Sequence, residues 1–182
     1  MSRSKTKLRK VVWDRGVDYI FMWYKLVDLI KSSKTTNQQK CYLIVSLIQL
    51  RNGSRISEAV RAFLKWLRTG KNEVEVLVSK KRGEDYRLMI IPSEVIPYRT
   101  LCLEEGLVNK SEESIKHMAR MTLYKLTKVN SHSLRYAFIT YLQTQGVNPS
   151  IIAKITKHSK LDYILKYTQE RVAEDILKNM KT

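Results

Sequence analysis

The chain lacks any apolar run close to the ~20 residues that cross a bilayer. Met1 opens a basic stretch with no signal-peptide core behind it. A membrane-spanning or exported protein is therefore not expected. Cysteine is scarce: Cys41 and Cys102 sit in apolar surroundings, form no close pair, and read as buried free thiols of a reducing compartment, the cytoplasm. Clustered Asp, Glu and His are missing too, so neither a metal nor another cofactor is expected. There are no repeats, no low-complexity tracts and no boundary between two large units. Acidic residues are the most telling shortage: 17 Asp and Glu face 34 Lys and Arg, a formal net charge of +17. That surplus repels itself in a compact domain unless a polyanion offsets it. Nucleic acid is the first partner to consider and an anionic membrane surface the second.

What is present suits one domain. The 182 residues and 43% hydrophobic content are enough for a proper core. Residues 1–12 form a basic leader or linker, and residues 13–182 the folded unit. Tyr19, Trp23, Leu26, Val27 and Ile30 recur at helical spacing, which predicts a helix from about Asp14 to Lys31. Thr35 and Thr36 are cap candidates for a second helix through residues 41–50, apolar nearly all round and hence central. Arg51-Asn52-Gly53 ends it. A third helix opens near Arg55 and stops at Thr69-Gly70. The period then changes to two: Val74, Val76 and Val78 alternate with their neighbours, a charged turn follows, and residues 86–91 complete a β-hairpin. Beyond Pro92 the chain reads as helical: an ill-defined segment near residues 94–105, then helices over 111–127 and 131–145. Another opens at Asn148-Pro149, and two more cover 160–168 and 170–181. The fold class is mostly α with a small antiparallel hairpin.

The residues that carry chemistry are ordinary one by one. His132 and Arg135 lie three apart on one helix face, as many surface pairs do. His158 and Tyr167 cannot share one straight helix face. A break between them, with Ser159-Lys160-Leu161-Asp162 as a capping pattern, would let both reach one spot. Tyr163 competes with Tyr167. Arg55 follows a Gly-Ser turn, and Lys80 and Lys81 sit where the hairpin meets its turn.

Their order is specific. Gly53-Ser54-Arg55-Ile56-Ser57-Glu58-Ala59, a hairpin lysine about 25 residues on, His132-Ser133-Leu134-Arg135, then Lys157-His158 and Tyr167 together resemble the tyrosine recombinases, or phage-type integrases. The resemblance covers nearly the whole chain as that family's C-terminal catalytic domain, without the N-terminal DNA-binding domain that usually completes the clamp. It implies Arg55 as the first active-site arginine, His132 with Arg135 as the central pair, His158 as the second histidine and Tyr167 as the nucleophile. For the lysine, counting from Arg55 favours Lys80, whereas the family's frequent Lys-x-Gly favours Lys81. Two departures stand out. Gly-Ser-Arg replaces the common Gly-Leu-Arg, which touches packing more than charge. Thr156-Lys157-His158 replaces Leu-Gly-His, which puts the local backbone in question. The divergence and the Lys/Ile/Tyr-rich composition look more like archaeal virus or plasmid integrases than bacterial ones.

These residue types suit cleavage of a phosphodiester. Two guanidiniums clamp the charge that builds on non-bridging oxygens. A tyrosine hydroxyl, with a pKa near ~10, attacks usefully only when its proton is taken up in the transition state. His132 is the candidate for that transfer, His158 for hydrogen bonding the phosphoryl group, and the lysine for protonating the leaving 5′ oxygen. By resemblance the product is a 3′-phosphotyrosine link, made without metal or ATP. The expected partners are a double-stranded DNA attachment site and further protomers in a DNA-bound assembly, a tetramer. Two rivals remain: a type IB topoisomerase-like or resolvase activity with the same chemistry, and a non-catalytic DNA-binding module. The apolar stripe Val172, Ala173, Ile176, Leu177 and Met180 suits docking on the chain's own core or on a neighbouring protomer.

Overall fold

Residues 37–52 carry almost no polar face, and in the computed structural model, which describes residues 16–78 and 85–158, they form the helix at the centre. This helix, α2 (Asn37–Asn52), buries every residue from Cys41 to Leu50. It packs against α1 (Tyr19–Lys31), α3 (Ile56–Thr69), α4 (Arg99–Glu104), α5 (Glu112–Thr127) and α6 (Ser131–Thr144). The only apolar surroundings that can satisfy such a helix are other elements on all sides. Its start is fixed as expected by Thr36, whose hydroxyl accepts from the Gln39 amide while the Gln39 side chain accepts from the Thr36 amide.

The expected boundaries recur with small shifts that have local causes. Helix α1 starts at Tyr19, not near Asp14, because the Asp18 carboxylate accepts from the Phe21 amide and caps the helix there. Ser111, Asn130 and Asn148 cap α5, α6 and α7 (Pro149–Thr156) in the same way, with Pro149 at the first helical position of α7. The ill-defined stretch after Pro92 resolves into a 3₁₀ turn (Ser93–Tyr98), the short α4, and a second 3₁₀ turn (Leu107–Asn109). The helices expected over 160–168 and 170–181, with the apolar stripe of the latter, lie outside the described residues, as does the leader.

Strands β1 (Glu73–Leu77) and β2 (Tyr86–Ile90) pair antiparallel, from Glu73 opposite Ile90 to Leu77 opposite Tyr86. The period-two pattern turns Val74, Val76 and Met89 inward against α3 and α2. A mostly helical fold with one small hairpin is thus what the chain adopts. One expectation is corrected. Cys41 and Cys102 are both buried and free, but they meet: a hydrogen bond with Cys41, then burial, pushes the Cys102 thiol up. Residues 61 apart in sequence give no hint that α2 and α4 bring them side by side.

Candidate active site

The site is built on the turn between α2 and α3. A helix C-terminus leaves its last carbonyls unpaired and carries partial negative charge. Here three successive carbonyls are taken by three side chains, two from distant elements and one from α2 itself. Arg87 Nη2 donates to Asn52 O at 2.6 Å, Arg135 Nη1 donates to Gly53 O at 3.0 Å, and Gln49 Nε2 donates to Ser54 O at 3.2 Å. Gln49 Nε2 also donates to Ser131 O at 2.8 Å, which ties the start of α6 to the same turn. Gly53 makes the approach feasible. It sits at φ +54, and a Cβ there would lie 2.1 Å from Phe138 Cδ1 of α6.

Arg55, the first expected arginine, is the residue before α3 and is held by Glu58. Arg55 Nη1 donates to Glu58 Oε1, and the Arg55 amide donates to Glu58 Oε2, each at 3.1 Å. The Glu58 side chain is fully buried, while that of Arg55 keeps 27% exposure. The second Glu58 oxygen also accepts from Arg87 Nη1 at 3.1 Å. One buried carboxylate therefore joins an arginine of β2 to the arginine that faces out. A buried cation persists only when paired and hydrogen-bonded. Burial lowers the Arg87 pKa and Glu58 opposes the shift. Asn52 completes the join to β2: its side chain donates to Ile90 O at 2.8 Å and accepts from Ile90 N at 2.9 Å, as a strand neighbour would.

Arg135 and His158 meet from α6 and the end of α7. Arg135 is 2% exposed. Its Nη2 donates to Thr156 O at 2.9 Å and lies 3.1 Å from His158 Nε2 and 3.2 Å from His158 Nδ1. The Thr156 hydroxyl fixes the tautomer. It spends its one proton on Ile152 O at 2.7 Å, so its 2.7 Å contact with His158 Nδ1 requires the ring nitrogen to donate. Nε2 is then the proton-free nitrogen, turned to Arg135. Burial first, then Arg135, Arg55, His132 and Arg87, pushes the His158 pKa down to about 3. The ring is neutral at any ordinary pH. Burial first, then Arg55, lowers Arg135 to about 10 against the opposing Glu58, which leaves it charged at neutral pH.

His132 lies on the exposed side of α6, one turn before Tyr136. Its Nε2 and the Tyr136 hydroxyl are hydrogen-bonded at 3.0 Å, with the rings edge to face. Arg55, His132, Arg135 and His158 thus gather in one place, close enough for their charges to act on one another. Lys80, Lys81, Tyr163 and Tyr167 lie outside the described residues. The questioned backbone at Lys157 takes the left-handed conformation, φ 56 and ψ 43, that glycine adopts most easily. The Thr-Lys-His departure therefore changes the side chain and keeps a glycine-like bend.

Sequence reasoning missed Glu58 and Arg87 as members of the site. A signal for Arg87 existed: it is in phase with Met89 and Ile91, the buried face of β2, while Tyr86 and Leu88 are exposed. An arginine on the apolar face of a strand calls for a buried carboxylate, and Glu58 is the acid nearest the Arg55 turn.

The chain is similar to known proteins over most of its length. Residues 24–174 match the Phage integrase family. A protein of Acidianus two-tailed virus named as an integrase is 39% identical over 94% of this chain and 70% of its own length. An uncharacterised protein of Methanocaldococcus jannaschii is 32% identical over 92% of this chain and 88% of its own. Among solved structures, the XerH site-specific recombinase, in a pre-cleavage complex with difH substrate, superposes with a TM-score of 0.55 at 16% identity. That match covers 85% of this chain and 50% of XerH. The XerA recombinase gives 0.51 at 16% identity, over 88% of this chain and 63% of XerA. The chain thus spans half to under two thirds of the recombinases whose fold it shares. By its family match and its viral relative, the chain belongs to the phage integrase family of tyrosine recombinases, enzymes that recombine DNA.

Proposed function

We propose that this chain is the catalytic part of a site-specific integrase that cuts and rejoins DNA through a 3′-phosphotyrosine link to Tyr167. The observation that carries the reading is the convergence of Arg55, Arg135 and His158 beside the α2–α3 turn. Arg135 commits three of its five N–H donors to Gly53 O, Thr156 O and His158, which locks the plane of the guanidinium. Arg55 is anchored at one end by Glu58 and still reaches solvent. Two always-charged forks, one rigid and one open, suit an anionic phosphodiester whose charge grows in the transition state.

The remaining steps follow from this clamp. The Tyr167 oxygen attacks phosphorus as its proton passes to a base, with His132 in that role. The bond to the 5′ oxygen breaks, and Lys80, or Lys81 in its place, supplies the proton to the departing hydroxyl. The phosphoryl group stays on tyrosine, so reversal by a 5′ hydroxyl rejoins a strand with no ATP and no metal. His158 begins neutral, with Nε2 accepting from Arg135. A bound phosphate sets negative charge against the Arg135, Arg55 and Arg87 cations that, with burial, hold the ring neutral. Nε2 then takes a proton from solvent and donates to the phosphoryl oxygen while the Arg135 fork stays in place. On this reading residues 13–182 form the catalytic domain, DNA is the polyanion that offsets the basic surplus, and several protomers, four in a complete assembly, act on a pair of sites.

Covalent trapping tests the proposal. The protein is incubated with nicked duplexes carrying candidate attachment sequences, and adducts are resolved on denaturing gels. The expected adduct forms with the wild type, is lost in Tyr167→Phe and persists in Tyr163→Phe. Loss only in Tyr163→Phe keeps the chemistry and moves the nucleophile. Firm binding with no adduct in any context, longer forms of the protein included, leaves the binding-module reading. Relaxation of supercoils without exchange between two sites turns the assignment to a topoisomerase-like activity.

A further inference from the structure

We propose that Lys157 is a positioning residue, whose ion pair with Asp85 fixes the turn-side end of the β-hairpin against the His158 end of the site. The inference rests on the recombinase reading for its catalytic consequence and on geometry for the tether itself. Lys157 Nζ donates to Asp85 Oδ1 at 2.7 Å across 72 residues of sequence. Asp85 is the residue at which the hairpin ladder closes, because its carbonyl accepts from the Val78 amide at 2.7 Å. On the other side, Lys157 is the C-cap of α7 and directly precedes His158, whose amide donates to Ala153 O. Its neighbour Thr156 holds the His158 ring and offers its carbonyl to Arg135. The pair therefore spans from the strand ends to the residues that orient the phosphate clamp.

The choice of residue supports a role. Lys157 adopts a left-handed backbone, φ 56, where a side chain is disfavoured and glycine is at ease. A lysine there gains a little from the helix C-terminus, as Lys128 does at the end of α5. What sets Lys157 apart is what its long side chain reaches, the carboxylate of Asp85 on the hairpin. Elsewhere β2 is held by Asn52 to Ile90 and Arg87 to Glu58, and β1 by Lys65 to Glu75 O and Arg61 to Leu77 O. Lys157 adds the tie to the β2 side of the end nearest the turn, and it alone of these comes from the residues beside His158. A mere surface charge at this bend would be indifferent to Asp85. A lysine aimed at DNA would be weakened by that carboxylate.

Lys157→Gly separates these cases, because it relieves the backbone while cutting the tether. The expected variant melts no lower than the wild type. It binds duplex DNA with unchanged salt dependence, yet forms the covalent adduct about threefold more slowly in single turnover, the scale of a partly exposed ion pair. Asp85→Asn gives the same slowing, and the double variant is no slower than either single. Independently of catalysis, exchange of the Val78 amide is faster in Lys157→Gly by a similar factor. Unchanged adduct formation in both single variants overturns the positioning role. Weaker binding with a salt slope shallower by about one in Lys157→Gly alone overturns it in favour of a phosphate contact. If the wild type forms no adduct, longer forms of the protein included, the recombinase reading fails on its own, and unchanged Val78 exchange still overturns the tether.

Discussion

At the scale of the residue, His158 shows how a site can be recognisable in sequence while its chemical state is not. Its position nine residues before Tyr167 marks it, but its protonation depends on Thr156, Arg135 and burial, which only the fold assembles. The sign of the consequence can be worked out. An unfolded histidine titrates near ~6.5, whereas in the fold His158 is pushed down to about 3. Between those values the unfolded chain binds the extra proton, so stability falls as pH drops from about 6.5 toward 3 and is unaffected by this group above. Replacing His158 by Gln should flatten that part of the pH dependence, read as urea midpoints from pH 7 to 4. An unaltered profile would mean that His158 titrates in the fold as it does in the unfolded chain. Arg87 illustrates the opposite difficulty. Its strand phase was legible, but its partner was not, because nothing in the local sequence links β2 to Glu58, 29 residues earlier.

At the scale of the element, the α2–α3 turn explains why the site's arginines hold still. Caps, periodicity and the Gly53 stop made nearly every described element readable in advance, since those signals act within a few residues. The bonds of Arg87 and Arg135 to the turn carbonyls and of Arg87 to Glu58 were not readable, since they join elements distant in sequence. The bridge makes a clear prediction. Glu58→Gln leaves Arg87 buried without its counter-charge and should cost about 3 kcal/mol of stability. Arg87→Met removes the buried cation, and in the double variant the two losses should be strongly sub-additive. Additive losses in denaturant titration would show that the two residues act separately. Gly53→Ala tests the turn itself. A Cβ at φ +54 driven to 2.1 Å from the Phe138 ring should cost about 3 kcal/mol, partly recovered by Phe138→Leu. No loss would mean that α6 can back away from the turn, and Arg135 with it.

At the scale of the whole molecule, charge balance sets two responses to salt that have opposite signs. A formal net charge of +17 on 182 residues is a surface that opposes its own folding at low ionic strength. Among the described residues no helix is long and apolar enough to cross a membrane, which leaves the surplus unexplained by a bilayer span. Added salt screens the self-repulsion, so the free chain's melting temperature should rise between roughly 20 and 300 mM salt, a range over which the Debye length shrinks severalfold. With duplex DNA present, salt acts the other way. Displaced counterions make binding fall with log salt at about 0.9 per neutralised phosphate, so five contacts give a slope of about −4.5. DNA-bound protein should therefore melt far above free protein at low salt, and the two curves should converge as salt rises. The same titration with a soluble polyanion lacking nucleobases separates charge from sequence. Equal shifts would mean that this part of the molecule supplies affinity and chemistry while recognition of the attachment sequence resides in contacts beyond the phosphate backbone. A melting temperature indifferent to DNA at low salt would remove DNA as the partner, and with it the reason for a clamp of two arginines at the α2–α3 turn.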